Sequence, residues 1–501
     1  MSRMRDGIPS VSLADYDVDP SVSRLIPKRV ARQYTVLPIA KSGDRIQLAM
    51  ANPRDIVAIG DVALLTQCAV DPVLAPAAEI CQAIEQVFAS HSMEEAAAHS
   101  PQESLIERGV EEASDAPVTK ALNLVITEAL RQRASDIHLE PMADGLRLRY
   151  RIDGNLREVY QLPKAVQDTV LTRLKIMAGL DITEWRQPQD GRFKLRFEDR
   201  EEIDFRVSVL PVAEGNKVVL RILNRSSLSA GLDHLGFLPD SIQTFKEAVQ
   251  RPHGMILVTG PTGSGKSTTL YSILHQLNTP ARNLITIEDP VEYQLPRVTQ
   301  VQVNPEIGLT FASGLRSLLR QTPDVVMIGE IRDFETADIA MKAGLTGQLV
   351  LSTLHTNDAS SAVTRLVDMG VEPFLIASGV TLIEAQRLVR KLCTACREPI
   401  TPPEARVKQL GIALDAQAAF YRAKGCQACY GTGYRGRMGI IEVLTIDERI
   451  QDLIVAKASS WDIKQYAVES LGLRTLRQDG LRKAAMGLTT VEEVIRVTSE
   501  E

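Results

Sequence analysis

A glycine-rich segment, Gly260-Pro-Thr-Gly-Ser-Gly-Lys-Ser267, constrains this chain more than any other part of its sequence. It follows the apolar run Met255-Ile-Leu-Val-Thr259 and opens a helical apolar pattern that continues to Leu277, so a strand, a loop and a helix succeed one another. Glycines let the backbone turn so tightly that its N–H groups point at phosphate oxygens, and the helix places its positive end at the same anion. We therefore predict a phosphate-binding loop.

The residues of this loop have separate expected roles. Nucleotide contacts are expected from Gly260, Pro261, Thr262, Gly263, Ser264, Gly265, Lys266, Ser267 and Thr268. Lys266 would supply positive charge to the β- and γ-phosphates of ATP, and the hydroxyl of Ser267 would bind Mg²⁺. A glycine turn that fits the pattern by chance is the alternative, and the flanking strand and helix argue against it.

Two further apolar runs end in carboxylates. Leu284-Ile-Thr-Ile runs into Glu288, and Val325-Val-Met-Ile-Gly runs into Glu330. In a parallel sheet both strand ends lie at the carboxyl edge, beside the phosphate loop. Hydrolysis needs one carboxylate on the metal side, which suits Glu330, and one that orients the attacking water, which suits Glu288. Together with the loop, they predict ATP hydrolysis.

A third apolar run ends at His355, after Gly347-Gln-Leu-Val-Leu-Ser-Thr-Leu. A neutral imidazole at this edge is suited to sensing the γ-phosphate or relaying a change to a neighbour. A histidine that only makes structural hydrogen bonds is the plainer alternative.

Four of the six cysteines form two C-x-x-C pairs, Cys393 with Cys396 and Cys426 with Cys429. Four thiolates in two knuckles complete a tetrahedral Zn²⁺ site with no open position, which is typical of a structural metal. A thioredoxin-like redox pair is the competing interpretation, but it needs one pair rather than two. We predict zinc.

Composition excludes several classes of protein. The net charge is −6 and aromatic residues make up 4%, so a direct nucleic-acid partner is not expected. No apolar run approaches the roughly 18 to 20 residues of a membrane-spanning helix, and the first residues lack the apolar core of a secretion signal. We expect a cytoplasmic protein that reaches a membrane only through a partner.

Composition and periodicity divide the chain into segments. The first 90 residues alternate short strand and helix patterns, and an acidic, alanine- and serine-rich stretch after them predicts a linker. Strands of period two follow, and their polar face is rich in arginine. For most of these arginines a solvated sheet face is the simplest interpretation. They are Arg147, Arg149, Arg151, Arg196, Arg206 and Arg221.

The order of these motifs resembles the secretion ATPase superfamily, in particular the type II secretion ATPases and their type IV pilus assembly relatives. The resemblance rests on Ala134–Pro141, Gln187–Arg192, Glu202–Pro211, the phosphate loop, Thr286–Glu292, Ile328–Asp333, Ser352–Asp358 and the cysteine pairs with Gly431–Arg437. It implies an α/β fold in which a RecA-like P-loop core with a mainly parallel sheet is preceded by a PAS-like α+β domain and a small α/β domain. A tetracysteine zinc module and a helical carboxyl-terminal subdomain complete it.

The resemblance also implies boundaries and partners. The expected segments are a docking domain (1–90), an acidic linker (91–117), an arginine-rich domain (118–232), the ATPase core (233–390), the tetracysteine module (391–440) and a helical subdomain (441–501). The implied assembly is a homo-hexamer on the cytoplasmic face of the inner membrane. Its implied partners are a platform protein that docks on the first domain and a polytopic assembly protein. Arg206 and Arg221 match positions thought to reach the phosphates as arginine fingers.

The sequence departs from the family pattern at one position, and several alternative functions remain. Gln348 stands where the family usually carries a second histidine, so a two-histidine switch is not expected. Type II secretion is the leading function, and pilus extension is its nearest rival. Pilus retraction is disfavoured because that branch lacks the cysteines, and DNA uptake stays open. A scaffold with vestigial hydrolysis conflicts with the complete set of Lys266, Ser267, Glu288 and Glu330.

Overall fold

The structure is a computed structural model that divides into two compact units, Met1–Ile222 and Leu223–Glu501. It describes residues 3–5, 8–11, 13, 20–23, 25–26, 28–43, 45–53, 55–66, 68–84, 87, 117–196, 202–223, 231–401 and 419–498. The predicted acidic linker lies outside the described residues except at its last position, Pro117. Among the described residues, no helix combines the length and the apolar character needed to cross a bilayer.

The amino-terminal unit begins with a five-stranded mixed sheet of order β1-β2-β5-β4-β3. Its strands are β1 Arg3–Arg5, β2 Ile8–Ser10, β3 Val36–Ser42, β4 Arg45–Met50 and β5 Ala69–Leu74. Helices Pro20–Ser23, Lys28–Tyr34, Ile56–Thr66 and 77–84 accompany them. One buried apolar cluster joins Leu37 and Leu48 of the sheet to Val62 and Ile84. The predicted pattern of short strands and helices is confirmed.

A six-stranded sheet of order β8-β7-β6-β11-β10-β9 forms the rest of this unit. Its strands are β6 Ala134–Pro141, β7 Gly145–Ile152, β8 Asn155–Pro163, β9 Gln189–Leu195, β10 Ile203–Val212 and β11 Gly215–Leu223. Helices Pro117–Arg131 and Lys164–Met177 pack against its apolar face. Sequence periodicity predicted β7, β9, β10 and β11. It missed β6, because seven of its eight residues are buried and no alternation is left to see, and it also missed β8.

The carboxyl-terminal unit is built on a seven-stranded sheet of order β14-β13-β15-β16-β12-β17-β20. Its strands are β12 Gly254–Thr259, β13 Leu284–Glu288, β14 Thr299–Gln302, β15 Val325–Ile328, β16 Leu349–Leu354, β17 Val380–Leu392 and β20 Tyr434–Thr445. All pairs are parallel except β17 with β20. Strands β12, β13, β15 and β16 are buried throughout, as a parallel sheet covered on both faces requires.

Helices cover the two faces of this sheet. They are Pro239–Val249, Lys266–Leu277, Phe311–Leu318, Phe334–Leu345, Ala359–Asp368 and Pro373–Gly379. One apolar cluster packs Leu270 and Leu274 against Ile256, while another packs Ala340 and Leu366 on the sheet. The strand–loop–helix repeat predicted from the sequence is confirmed.

The remaining elements extend this unit. Strands β18 Glu398–Ile400 and β19 Phe420–Arg422 form a two-stranded sheet beside the cysteines. The last four helices are Glu448–Val455, Ser460–Ser470, Leu476–Ala485 and Val491–Val497. Each helix has an N-cap residue whose side chain accepts a hydrogen bond from a backbone N–H group of the first turn. These N-cap residues are Asp447, Ser459, Thr475 and Thr490. The expected boundary at residue 440 falls within β20.

Candidate functional site

The loop between β12 and helix Lys266–Leu277 has the backbone conformation that a phosphate cradle needs. Gly260, Gly263 and Gly265 adopt φ values of +149°, +79° and +97°, which residues other than glycine rarely adopt. The hydroxyl of Ser264 is buried and has no hydrogen-bond partner among the described residues. A bound phosphate oxygen would satisfy such an orphaned donor, so the loop fits an anion.

Lys266 lies folded over this loop. Its Nζ donates hydrogen bonds to the carbonyl oxygens of Gly260 at 2.7 Å and Pro261 at 3.1 Å. Burial lowers the pKa of Lys266 to about 8, although the negative charge of Glu330 favours the ammonium form. The lysine is therefore held at the loop and interacts electrostatically with Glu330. Ser267 is exposed in the first helical turn, where its hydroxyl is available to a metal ion.

The sheet brings the predicted acidic strand ends to the edge that carries the loop. Ile287 pairs with Ile328, Ile328 pairs with Ser352, and Thr259 pairs with Leu354. Glu288, Glu330 and His355 consequently follow these paired positions at one edge of the sheet. The juxtaposition predicted from the strand order is therefore present in the structure.

Glu288 is buried and accepts hydrogen bonds from three side chains. The Tyr271 hydroxyl contacts one carboxylate oxygen, while Thr286 Oγ1 at 2.5 Å and Gln300 Nε2 at 3.1 Å contact the other. Burial and the charge of Glu288 raise the pKa of Tyr271, so its hydroxyl stays protonated and continues to donate. This network fixes the orientation of the carboxylate. To accept a proton from water, Glu288 must exchange one of these partners for that water.

Glu330 is more open to the loop. One of its oxygens contacts the guanidinium of Arg332, and the other lies 3.1 Å from Nε2 of His355. The side chain of His355 is 47% exposed, so it lies between Glu330 and solvent. Gln348 precedes β16 and His355 follows it, so seven residues at about 3.3 Å each separate the two by about 23 Å. The side-chain oxygen of Gln348 accepts a hydrogen bond from the hydroxyl of Thr346.

The two arginines predicted to reach the phosphates belong to the amino-terminal unit. Arg206 is on β10 and Arg221 is on the neighbouring β11, and both lie on the polar face of that sheet. The side chain of Arg221 is 61% exposed, and its Nε lies 3.2 Å from Asp136. Arg147 and Arg149 bind Glu140, as does Lys217. These partners lower the pKa of Glu140 to about 2 against the opposing effect of burial.

The four paired cysteines converge in the carboxyl-terminal unit. Their sulfur atoms all lie within 4.8 Å of one another, and three of the separations are 3.7, 3.8 and 3.9 Å. Zinc–sulfur bonds of about 2.3 Å in a tetrahedron place sulfur atoms about 3.8 Å apart, so the donor set has the size of a zinc site. Backbone N–H groups of Cys426 and Gly433 donate to the sulfur of Cys429, each at 3.1 Å. Such donors stabilise a thiolate.

Comparison with protein families and known proteins assigns this architecture. The family model described as "Type II/IV secretion system protein" matches residues 111–496, which is more than half of the chain. The chain belongs to the type II/IV secretion system protein family. An MshEN domain matches residues 7–94, which covers most of the predicted docking domain (1–90) and the first four residues of the predicted linker.

Curated relatives of this secretion ATPase have two kinds of name. The type IV pilus assembly ATPase PilB of Myxococcus xanthus is 45% identical over 99% of this chain and 90% of its own length. The type II secretion system protein E of Pseudomonas aeruginosa is 50% identical over 78% of each chain. Family membership and the site geometry together establish an ATP-hydrolysing enzyme of the secretion and pilus assembly class.

Two solved structures share this fold. The pilus retraction motor PilT with bound ADP is 28% identical, with a TM-score of 0.50 over 74% of this chain and 95% of its own. The Legionella pneumophila ATPase DotB is 23% identical, with a TM-score of 0.57 over 76% of this chain and 95% of its own. The predicted fold class is confirmed.

Sequence reasoning missed the side chains that support the site. Tyr271, Gln300 and Gln386 hold Glu288 or the phosphate loop, and none of them belongs to a short motif. Tyr271 lies five residues after Lys266 in the helix that follows the loop. A polar aromatic residue at that position of a buried helix was the one signal that could have drawn attention to it.

Proposed function

We propose that this enzyme is a hexameric motor whose ATP hydrolysis drives pseudopilus assembly and protein export by a type II secretion system. The observation that carries the proposal is the meeting of Lys266, Glu288 and Glu330 at one edge of a parallel sheet. The identity of 50% to a type II secretion protein E supports the choice of system. Nucleotide, Mg²⁺ and Zn²⁺ are the cofactors proposed for it.

Each residue of the site has a proposed role. The backbone of 260–268 surrounds the phosphates, and Lys266 neutralises the β- and γ-oxygens. Ser267 and Glu330 hold Mg²⁺, which stabilises the charge that develops on the transferred phosphoryl group. Glu288 orients the attacking water and accepts its proton. His355, within hydrogen-bond distance of Glu330, reports whether the γ-phosphate is present.

Arginine fingers complete the proposed site. The side chain of Arg221 is largely exposed, and Arg206 lies on the same face of its sheet. A guanidinium stabilises charge on the phosphoryl oxygens when it reaches them from a second domain or a second subunit. We therefore expect Arg206→Ala and Arg221→Ala proteins to bind ATP but to hydrolyse it slowly. Loss of binding with unchanged turnover of the bound fraction would contradict this role.

Assembly of a type IV pilus is the second candidate function. It is favoured by the pilus assembly relative, which matches 99% of the chain, whereas the type II relative matches 78%. The two systems differ in their products, so a deletion strain distinguishes them. Loss of secreted enzymes with intact surface pili supports type II secretion, whereas loss of pili with normal secretion supports pilus assembly.

The proposed location is the cytoplasmic face of the inner membrane, reached through partners. The MshEN match at 7–94 supports a docking role for the first domain, towards an inner-membrane platform protein. A polytopic assembly protein is the second proposed partner. Affinity capture with the full chain and with a chain lacking residues 1–90 tests the docking. We expect the platform protein to be retained by the full chain alone.

Phosphate release by the purified hexamer tests the motor itself. Lys266→Ala removes the charge that binds phosphate, and Glu330→Gln removes a metal ligand while leaving the size of the side chain unchanged. We expect both to lower kcat at least a hundredfold, since several kcal/mol of charge stabilisation is lost. Wild-type protein that assembles into a ring and still turns over no faster than either variant would refute the proposal.

A further inference from the structure

Strand β17 contributes one buried polar side chain to the phosphate loop. Gln386 is 4% exposed. Its Nε2 donates a hydrogen bond to the carbonyl oxygen of Ser264 at 2.6 Å, and its Oε1 accepts one from Oγ1 of Thr269 at 2.7 Å. One half of the carboxamide therefore binds the loop, while the other half binds the first turn of the helix that follows it.

A carboxamide is the group that suits both contacts. The Ser264 carbonyl can only accept, so the atom facing it must be a donor, and Oε1 is then left to face the hydroxyl of Thr269. Glutamate, with nearly the same shape, would place a second acceptor against the Ser264 carbonyl. Methionine would fill the space without making either hydrogen bond.

The loop is also packed tightly around this residue. A Cβ atom on Gly260 would lie 2.6 Å from the backbone carbonyl oxygen of Gln386, and a Cβ atom on Gly265 would lie 2.8 Å from the side-chain Nε2 of Gln386. Both distances are shorter than real side chains show. The two glycines that define the motif are therefore required by the proximity of β17 as well as by their positive φ.

The orientation of one peptide unit follows from the contact with Ser264. In a planar trans peptide, the C=O and the N–H point in opposite directions. Because Gln386 holds the Ser264 carbonyl on the β17 side, the N–H of Gly265 faces away from β17. That N–H belongs to the loop that surrounds the phosphates in the proposed function.

We propose that Gln386 is a positioning residue of the nucleotide site. It fixes the peptide between Ser264 and Gly265 and the start of the helix, so that the N–H groups of the loop converge on the phosphates. Gln386 acts through the loop and makes no contact with nucleotide itself. The inference rests on the proposed binding of ATP phosphates by residues 260–268.

The test measures binding and turnover separately in the full chain. Gln386→Glu, Gln386→Met and Thr269→Val proteins are compared with wild type for the Kd of a fluorescent ATP analogue, KM and kcat. We expect Kd and KM to rise about tenfold in Gln386→Glu and about fivefold in Gln386→Met, because a net hydrogen bond is worth about that factor. We expect kcat at saturating ATP to stay within about threefold, because the carboxylates are untouched.

Gln167→Glu is the matched control. Gln167 is also a buried glutamine that donates to a backbone carbonyl, that of Glu214 at 3.2 Å, but it lies in the amino-terminal unit. We expect it to lower the melting temperature without changing the Kd. This control separates a general effect of a buried charge from an effect on the loop.

Two results would overturn the inference. One is a Kd within twofold of wild type in a folded Gln386→Glu or Gln386→Met protein. The other is a lower kcat with unchanged Kd, which would mean that Gln386 serves the chemical step. If Gln386→Glu does not fold, the Kd values of Gln386→Met and Thr269→Val proteins test the inference. Lys266→Ala protein that binds ATP normally would instead refute the proposed function.

Discussion

Glu384 provides a quantitative test of how charge is tolerated inside the core sheet. It lies on β17, paired with Val258 on one side and Val443 on the other, and it is fully buried. Neither carboxylate oxygen has a hydrogen-bond partner among the described residues. Burial raises the pKa of Glu384 to about 8, although the charge of Lys483 opposes this shift. We expect the native protein to hold this carboxyl group uncharged at pH 7.

The sign and size of the effect follow from the shift. The pKa in the folded state is raised above the unfolded value of 4.5, so between these two pKa values the native state binds the additional proton. The stability contributed by this proton is complete below pH 4.5 and is lost as pH rises towards 8. At about 1.4 kcal/mol per pH unit, the loss between pH 6 and pH 8 is about 2 kcal/mol.

Guanidinium unfolding of wild-type and Glu384→Gln proteins at pH 6 and pH 8 measures this loss. A Trp185→Phe background leaves Trp461 as the reporter of the carboxyl-terminal unit. Glutamine does not titrate, so we expect the wild type to lose about 2 kcal/mol more than the variant between the two pH values. Groups that titrate in both proteins cancel in this difference.

Two outcomes would refute the reasoning. A difference below about 0.5 kcal/mol would mean that the pKa of Glu384 is near its ordinary value. A difference of opposite sign would mean that the native state does not bind the additional proton at Glu384 between pH 6 and pH 8, since a carboxylate that Lys483 keeps ionised would not titrate in this range and would give no difference. A constant offset between the two proteins is not evidence for either outcome, because it reflects the new amide group rather than titration.

Three further predictions concern the loop, the acidic network and the metal. Gly265→Ala should weaken ATP binding more than tenfold in a fluorescence titration, because its φ of +97° and the 2.8 Å approach to Gln386 both exclude a Cβ. Tyr271→Phe should lower kcat while leaving Kd within threefold, because one hydrogen bond that orients Glu288 is lost; unchanged kcat would contradict that role. Elemental analysis should find about one zinc per chain in the wild type and none in Cys396→Ser, and metal-free wild-type protein that folds normally would exclude the site.

Local sequence patterns predicted the parts of the site that lie at strand ends. A parallel sheet places every carboxyl strand end at one edge, so the positions of Glu288, Glu330 and His355 followed from strand order alone. The cysteine cluster followed from spacing in the same way. In these cases the topology converts a short motif into a three-dimensional arrangement.

The supporting residues could not be predicted, because their partners are distant in sequence. Gln386 lies 122 residues from Ser264. Tyr271 and Gln300 meet only because β13 and β14 are neighbours and the helix after the loop lies beside them. Glutamine in an apolar strand has no periodic signature, and either a core position or a surface position would have been consistent with the sequence.

Strand β17 shows why such residues matter. On a strand of period two, Glu384 and Gln386 project from the same face, which is the face that meets the phosphate loop. A carboxylate formed at Glu384 would place charge two residues from the group that holds the Ser264 carbonyl, in a region that excludes water. An uncharged Glu384 therefore keeps charge away from the carboxamide of Gln386. The hydrogen bonds of Gln386 account for a polar residue at its position in the strand, whereas no contact among the described residues accounts for Glu384.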